Sequence, residues 1–452
     1  MTLLPTNVYC DTAMRQLDSY GVMVMTLAIV LAWAVKDKCA TAQEQYFRLH
    51  TSSGSSENAR LEDLSEPLKF SFRSEGTSRV LTASEVVRWG AWQPPQNCSV
   101  LWLADGSWIV GRLEFDAKVA TIYENDWLNT IRIPLALCRG VVVSAPVRAM
   151  DWSRLQSQMT SAQGDKDSIW MEDGRKMNGI LSILPGPANR DTEQASAAVF
   201  ALESSGKKTE LVLDDEVQAI VFSPALQPPI LRGPAAAAIA LRDGSLLNVR
   251  RMSRNPLGKL RLQLELPIEI ESLDDSARFA TAVDYIIGSP SKTAWVSDFA
   301  PTLYRYLGSS SLKWDLGRDR DLYGRPLVFA DGFVAKGLSM HSPSQAAYRW
   351  DGSAGKFLAE IVMAPPPEAT SQDLGSVLCK VILVRDGKLV EAFTSRPIHA
   401  RTPPQAVEVD ITGAQTVVIN TDQADIGPLG DHVIWLDARM VDLSPTAADK
   451  AP

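Results

Sequence analysis

The sequence predicts an all-β protein, in which an N-terminal array of small β barrel-like repeats is followed by a β-sandwich. After a polar stretch at 51–58, the apolar runs are short, alternate with polar residues and are rich in Val, Ile, Leu and Trp. One strand–turn–strand pattern recurs three times before residue 289. Beyond the apolar segment near the N-terminus, we expect no major helix, which excludes parallel α/β folds and β/α barrels.

Composition limits the classes of partner. A chain of 452 residues is too long for one ordinary core, so two to four domains are expected. The formal net charge is −8, from 45 basic and 53 acidic residues. Because nucleic-acid binding needs a basic surface, no nucleic-acid partner is expected. The same acidity gives no electrostatic attraction to anionic membranes.

The cysteines and histidines argue against a metal centre. The five cysteines form no CxxC pair, and the chain has only 4 histidines, so no zinc site is expected. Cys98 and Cys138 flank one strand-rich segment. They either form a disulfide or remain two buried free thiols.

The N-terminus carries a targeting pattern. Gly21–Val35 is an uncharged apolar run, which Lys36-Asp37-Lys38 interrupts before Ala40-Thr41-Ala42. A short apolar core followed by a small-x-small triplet predicts a signal peptide over residues 1–42, cleaved after Ala42. An uncleaved membrane anchor and a buried helix are the alternatives, and a membrane is a partner only if the segment stays uncleaved. The predicted location is therefore outside the cytoplasm: periplasmic, cell-surface or secreted.

The N-terminal half is organised by repeats. The three copies are SVLWLADGSWIVGRL from Ser99, SIWMEDGRKMNGIL from Ser168 and AIALRDGSLLNVRRM from Ala238. Each places an Asp-Gly pair between two apolar runs, a strong signal for a hairpin turn. The predicted boundaries are a polar segment with a partial repeat, and then three repeats: 43–98, 99–167, 168–236 and 237–288. The pattern loosely resembles Sm-like and SH3-like barrels, but no basic stripe accompanies it, so no RNA role is expected.

A different module follows the pattern break at 289–292. It extends over 292–442 and leaves 443–452 as a tail, and the break predicts two independently folding halves. Short apolar runs at 357–363, 377–384, 406–411 and 416–420 alternate with turn residues. Such a run of strands closes as a two-sheet sandwich.

Five motifs in this module occur in a specific order. They are GRPL at 324–327, KGLSMHSPS at 336–344, VRDGK at 384–388, VDITGA at 409–414 and DHxxWLDA at 431–438. In this order they resemble the NPCBM carbohydrate-binding module family, which is attached to glycoside hydrolase family 98 enzymes and to other exported proteins. The resemblance implies a galactose-binding-like jelly roll, with its ligand loops at one end and a glycan or polysaccharide as its partner.

Sugar recognition needs an aromatic face for the apolar side of the ring and planar polar groups for the hydroxyls. The predicted carbohydrate-binding residues are Trp314, Asp319, Tyr323, His341, Asp431 and His432, with Trp295, Tyr348 and Trp350 as further possible platforms. Each has a structural alternative. His341 would be an inner histidine, and Asp431 and His432 would brace their loop by hydrogen bonds. Trp435 is expected in the core.

Two features modify what the resemblance implies. Many relatives carry an acidic, Gly-rich loop where this chain has APPPEAT at 364–370, so a stiffer loop with fewer hydrogen-bond donors is expected at the ligand end. Asp422, Asp425 and Asp431 would either gather around a structural calcium ion or form a solvated acidic loop. The spacing is not that of an EF-hand, so no cofactor is predicted.

No catalytic motif is present. The chain lacks GxSxG, GxxxxGK[ST] and GxGxxG, and it predicts no helix-bearing catalytic scaffold. The sequence therefore predicts an exported carbohydrate-binding protein that is not an enzyme. The alternative is a structural or protein-interaction component of the cell envelope, whose partner would be another envelope protein.

Overall fold

A computed structural model describes ten ranges of the chain: residues 46–184, 199–204, 206–212, 216–226, 237–290, 292–308, 313–329, 332–364, 375–425 and 430–444. The predicted signal peptide and the prolines of the APPPEAT segment lie outside these ranges. Among the described helices, none combines the length and the apolarity that a membrane crossing requires.

The N-terminal array, residues 47–288, contains four small antiparallel units that share one pairing scheme. In each unit the strands form a meander, and the last strand returns to pair with the first. Unit I comprises β1 (Phe47–Thr51), β2 (Ser56–Ser65), β3 (Lys69–Ser74), β4 (Thr77–Thr82) and β5 (Val86–Gly90). Unit II comprises β6 (Val100–Leu103), β7 (Trp108–Val110), β8 (Arg112–Phe115), β9 (Val119–Tyr123), β10 (Ile131–Pro134) and β11 (Cys138–Val142).

Units III and IV repeat this arrangement. Unit III comprises β12 (Asp167–Met171), β13 (Lys176–Leu184), β14 (Val199–Ser204), β15 (Lys207–Val212) and β16 (Val217–Val221). Unit IV comprises β17 (Ala237–Leu241), β18 (Leu246–Arg254), β19 (Lys259–Leu264), β20 (Glu269–Asp275) and β21 (Val283–Gly288). Three 3₁₀ turns lie at Leu135–Leu137, Pro224–Leu226 and, after the array, Val296–Asp298.

The repeated Asp-Gly pairs lie at the turn between the first and second strands of units II, III and IV. Unit I differs from the expectation of a partial repeat over 43–98, because Phe47–Gly90 has all five strands. Its first turn contains Ser52, Ser53 and Gly54 in place of Asp-Gly, so the sequence pattern misses this hairpin.

The units associate through two kinds of contact. The last strands pair antiparallel between units I and IV and between units II and III. Units II and IV instead join by reciprocal hydrogen bonds at their Asp-Gly-Ser turns. The Ser107 hydroxyl accepts from the amide of Asn248 at 3.0 Å, and the Ser245 hydroxyl accepts from the amide of Val110 at 3.0 Å. The resulting order is I, IV, II, III, which does not follow the chain.

One helix corrects the expectation that this part contains no major helix. Helix α1 (Ala149–Ser161) has 13 residues, whereas α2 (Ser276–Ala280) is a single short turn. Trp152, Leu155 and Met159 lie on one face of α1 and are buried. The Trp152 ring contacts Trp108 at 5.1 Å and Trp92 at 6.2 Å between centroids. Polar residues separate these three apolar positions and the helix is short, so the sequence pattern does not reveal its helical period.

The C-terminal module is a sandwich of two antiparallel sheets, which confirms the predicted all-β fold class. One sheet has the order β24-β27-β34-β29-β32 with β22 paired to β34, and the other has the order β23-β28-β33-β30-β31. The strands are β22 (Thr293–Trp295), β23 (Leu303–Tyr306), β24 (Gly317–Arg318), β25 (Leu327–Phe329), β26 (Gly332–Val334), β27 (Gly337–His341), β28 (Ser344–Arg349), β29 (Gly355–Met363), β30 (Val377–Arg385), β31 (Lys388–Thr394), β32 (Gln405–Asp410), β33 (Thr416–Gln423) and β34 (His432–Asp442). Trp435 is fully buried in its core, as expected.

The array and the sandwich share buried contacts. Arg88 of β5 donates from Nε to Asp437 of β34 at 2.6 Å, and its Nη2 lies 3.4 Å from Glu360 of β29. All three side chains are buried. Trp92 packs against Phe333 of β26 with 5.3 Å between ring centroids. These buried contacts between the array and the sandwich do not fit the expectation that the two halves fold independently. We expect the two halves to unfold together.

The cysteines in the described ranges are free thiols: Cys98, Cys138 and Cys379. Cys98 and Cys138 therefore form no disulfide with each other, and the free-thiol alternative is the one that the structure has. Burial raises the pKa of Cys138 to about 12 and, with the nearby carboxylate of Asp243, that of Cys98 to about 11. Both thiols are therefore protonated and unreactive at neutral pH.

The Arg88 contacts predict a large loss of stability on truncation. Arg88→Ala leaves Asp437 buried without its ion-pair partner and removes one of the two arginines paired with Glu360, the other being Arg48. This should cost about 3–5 kcal/mol of unfolding free energy. Arg112→Ala is the matched control, because Arg112 pairs with Glu124 on the surface and should matter little. Urea denaturation followed by tryptophan fluorescence measures both. Equal effects of the two substitutions would contradict the assigned role of Arg88.

Candidate functional site: an aromatic cluster at one end of the sandwich

Two histidines lie close together at the ends of two neighbouring strands. β27 ends at His341 and β34 begins at His432, and these residues are direct partners in the antiparallel ladder. Their ring centroids are 4.9 Å apart. Facing side chains on adjacent strands stand close together, so the register alone places both imidazoles at one end of the sandwich.

Three more rings complete what we call the aromatic cluster: Tyr306, Trp314, Tyr323, His341 and His432. The Trp314 ring stacks on His341 at 5.0 Å with 6° between the planes, and Tyr323 stacks on His432 at 5.4 Å. Tyr306 meets His341 edge-on at 5.7 Å. The hydroxyl of Tyr304 donates to the Trp314 carbonyl at 2.9 Å, which ties the connecting segment to β23.

Exposure increases from His341 outward. His341 is only 5% exposed, Trp314 and His432 are half-buried, and Tyr323 is 47% exposed. The cluster therefore presents to solvent one open aromatic ring, Tyr323, and three partly open rings, Tyr306, Trp314 and His432. A ligand would contact Tyr323 and Trp314 before it reached the histidines.

The loop that carries Tyr323 is held by an internal ion pair. The Asp321 carboxylate accepts from the amides of Tyr323 at 2.9 Å and Arg325 at 2.8 Å, and from Arg325 Nε at 2.6 Å. The Arg325 guanidinium lies 4.9 Å from the centre of the Tyr323 ring. Sequence reasoning missed Arg325, Asp321 and Tyr306 as site residues. An acid four residues before an arginine, with a tyrosine between them, was the available signal for the first two.

Both histidines are neutral near pH 7. Burial, together with the neighbouring His341, lowers the pKa of His432 to about 4. Burial also lowers the pKa of His341, although the Ser342 carbonyl and Asp431 act in the opposite direction. His341 Nδ1 donates to the Ser342 carbonyl at 2.5 Å, which leaves Nε2 as an acceptor. Neutral imidazoles suit hydroxyl groups better than anions.

Asp431 lies beneath the cluster and braces it. The side chain is 0% exposed; it accepts from the Ser342 hydroxyl and, at 2.8 Å, from the Ser376 amide. Burial raises its pKa despite these bonds. Of the two roles weighed from the sequence, the geometry matches loop bracing, because a fully buried carboxylate does not reach a ligand.

The structure brings together four of the six predicted site residues: Trp314, Tyr323, His341 and His432. Asp319 lies apart, where its carboxylate accepts from Lys336 Nζ at 2.9 Å and the Gly337 amide at 3.1 Å. The further platforms do not offer open faces. Trp295 and Tyr348 are buried, and Trp350 packs partly buried against the core with its Nε1 bonded to Ser353.

The acidic residues weighed as calcium ligands do not converge. Asp422 and Asp425 are exposed, and Asp431 is engaged by Ser342 and Ser376. Within the described ranges, no group of three or more His, Cys, Asp or Glu side chains has an arrangement that could hold a metal ion. The absence of a cofactor stays a prediction.

Comparison with known proteins identifies the C-terminal module. Residues 292–441 match the family model for the NPCBM/NEW2 domain, which confirms the resemblance drawn from the five motifs. No curated protein matches the chain. The array at 47–288 lies outside the matched range.

Several solved structures are similar to the chain. The CBM51 module of Clostridium perfringens GH95 in complex with methyl-galactose is 20% identical, with 33% of this chain and 99% of that chain covered and a TM-score of 0.27. The tandem CBM51 modules of the family 98 glycoside hydrolase Sp3GH98 from Streptococcus pneumoniae are 12% identical, with 63% and 90% covered and a TM-score of 0.29. The CBM51-2 and INT domains of Clostridium perfringens ZmpB are 16% identical over 58% of this chain, with a TM-score of 0.28, and this chain spans 40% of their length.

The bracing role of Asp431 predicts a stability effect. Asp431→Ala should lower the unfolding free energy by about 1–3 kcal/mol, because it leaves the Ser342 hydroxyl and the Ser376 amide without their buried acceptor. Asp422→Ala is the matched control at an exposed position of the same region. Thermal unfolding of both variants is the measurement. An unchanged midpoint for Asp431→Ala would contradict the bracing role.

Proposed function

We propose that this chain is an exported carbohydrate-binding protein without catalytic activity of its own, and that it contacts glycans at the aromatic cluster. One observation carries the proposal: an open tyrosine ring and a half-buried tryptophan stand directly beside two neutral imidazoles and an arginine. The match of residues 292–441 to the NPCBM/NEW2 domain supports it independently.

The aromatic rings and the polar groups would contact different parts of the sugar. Tyr323 and Trp314 remove the apolar face of a sugar ring from water. His432 and Arg325 then replace hydrogen bonds that water made with the sugar hydroxyls, so that the polar groups are not left unpaired. Binding by one such open site should be weak, because few ligand atoms offset the cost of association.

Two monosaccharides are natural first ligands to test. One similar structure is a complex with methyl-galactose, and another similar structure, of the CBM51-2 and INT domains of ZmpB, is a complex with GlcNAc. A glycan array with the full chain extends the test to sugars that these two do not represent.

A second candidate function is a protein-interaction component of the envelope. One observation favours it: Phe299, Leu303 and Leu307 are exposed apolar residues on and beside β23, the edge strand that also carries Tyr306. Exposed apolar side chains along an edge strand suit a protein partner better than a sugar. Binding of an envelope protein that Leu303→Asp abolishes, in the absence of any glycan binding, would put this function first.

Export rests on the N-terminal sequence and has its own test. We expect the mature protein from its native host to begin at Gln43, because the Ala40-Thr41-Ala42 triplet follows the apolar segment. Mass spectrometry of the purified protein reads the N-terminus directly. A chain that retains Gly21–Val35 would show an uncleaved anchor instead.

The aromatic contact predicts a specific loss of binding. Trp314→Ala should weaken glycan binding by about tenfold or more, since it removes a ring from the contact surface and the stacking support of His341. Phe299→Ala is the matched control, because Phe299 is an exposed aromatic residue of the same module outside the cluster. Isothermal titration with a glycan identified on the array measures both variants. Undiminished binding by Trp314→Ala would exclude the cluster as the site.

A further inference from the structure

A groove of about 480 Å³ lies where the array meets the sandwich. Its floor is apolar and is formed by Trp92, Tyr285 and Phe333. One wall is the polar face of α1, with Gln156, Ser157 and Thr160, and the opposite wall is the loop after β24, with Asp319 and Arg320. Ligand sites occur preferentially in such clefts between parts of a protein, with an apolar floor and a few polar groups.

The charge balance in this groove is uneven. Lys336 pairs with both Asp319, at 2.9 Å, and Asp298, at 2.5 Å, so one cation serves two carboxylates. Arg320 is exposed and, within the described ranges, its side chain has no hydrogen-bond or ion-pair partner. Among the described residues that line the groove, Arg320 therefore offers a guanidinium with unpaired donors, in a chain whose net charge is −8. The net charge of the protein repels anions, so an anion that binds here needs the directed hydrogen bonds of the Arg320 guanidinium.

A buried polar atom in the wall also lacks a partner. The Oε1 atom of Gln156 is buried and makes no hydrogen bond in the described part of the chain. Leaving such an acceptor unpaired is costly, so a hydroxyl group brought into the groove would gain from pairing with the Gln156 amide.

One loop contributes to both the aromatic cluster and the groove. Tyr323 belongs to the cluster, and its chain neighbour Gly324 lines the groove. The side of Gly324 where a Cβ would project is open, with no atom within 4 Å of that position. A glycan chain seated on Tyr323 would therefore meet no obstruction at Gly324 itself.

From these observations we infer that the groove is a second subsite, which takes a carboxylate-bearing sugar of a glycan held at the aromatic cluster. The inference rests on the proposed function. A guanidinium matches a carboxylate with two parallel hydrogen bonds, which an uncharged sugar cannot reproduce. Gln156, Ser157 and Thr160 supply the neutral donors and acceptors that the remaining hydroxyls of such a sugar require.

The test compares one trisaccharide in two charge states. The full chain is titrated with an α-1,4-linked galacturonic acid trimer and with its methyl ester, which keeps the shape and removes the charge. We expect the acid to bind about tenfold or more tightly, and Arg320→Gln to abolish that difference. Arg320→Lys should retain part of it. Arg349→Gln, the same change at another exposed arginine of the sandwich, should leave it intact.

The outcomes separate the two proposals. Equal affinity for acid and ester, or an unchanged difference in Arg320→Gln, overturns the second subsite. If in either case Trp314→Ala still weakens binding of a neutral sugar, the proposed function stands. If neither trimer binds while methyl-galactose does, the second subsite is overturned and the proposed function stands. If no sugar of any kind binds, both proposals fall.

Discussion

The placement of the array against the sandwich depends on the buried guanidinium of Arg88. Its strand, β5, pairs with β1 on one side and with β21 of unit IV on the other, while its side chain reaches Asp437 and Glu360 in the sandwich. A buried charge tolerates little displacement from its partners, because an unpaired ion in the interior is very unfavourable. His50 lies 3.3 Å from the same guanidinium and 3.6 Å from Glu360, and burial together with the arginines lowers its pKa well below the usual range, so it stays neutral. Units I and IV are thereby fixed against the sandwich, which gives the groove between them a defined shape.

A second constraint, strand register, builds the aromatic cluster. Because β27 and β34 pair with His341 opposite His432, a slip of one residue would turn one imidazole to the other face of the sheet. Asp431 holds the neighbouring loop through Ser342 and Ser376, so the rings are positioned before any ligand arrives. Preorganisation of this kind reduces the ordering cost that a weak, open site would otherwise incur on binding.

The sequence predicted the β architecture well where local chemistry determines it. Asp-Gly turns and alternating apolar runs identified units II to IV, and the five ordered motifs identified the sandwich module. Unit I was read as partial because its first turn lacks Asp-Gly, and α1 was missed because only Trp152, Leu155 and Met159 signal its buried face. The sequence also named Trp314, Tyr323, His341 and His432, which the structure brings together, and their contact with a sugar stays a prediction. Asp319 lies outside the cluster, where it pairs with Lys336, seventeen residues along the chain, and no local pattern reveals a partner at that distance.

Glycan recognition at the aromatic cluster is the central claim, and the chain's 4 histidines allow a direct test. Two of them, His341 and His432, belong to the cluster, whereas His50 lies at the buried junction and His399 lies in a loop of the sandwich. Histidine-selective isotope labelling resolves all four imidazoles by NMR during titration with a glycan. We predict that the resonances of His341 and His432 shift with saturable binding while those of His50 and His399 stay in place. Saturable binding that moves neither cluster histidine, or the absence of any shift with every sugar tested, would contradict the account.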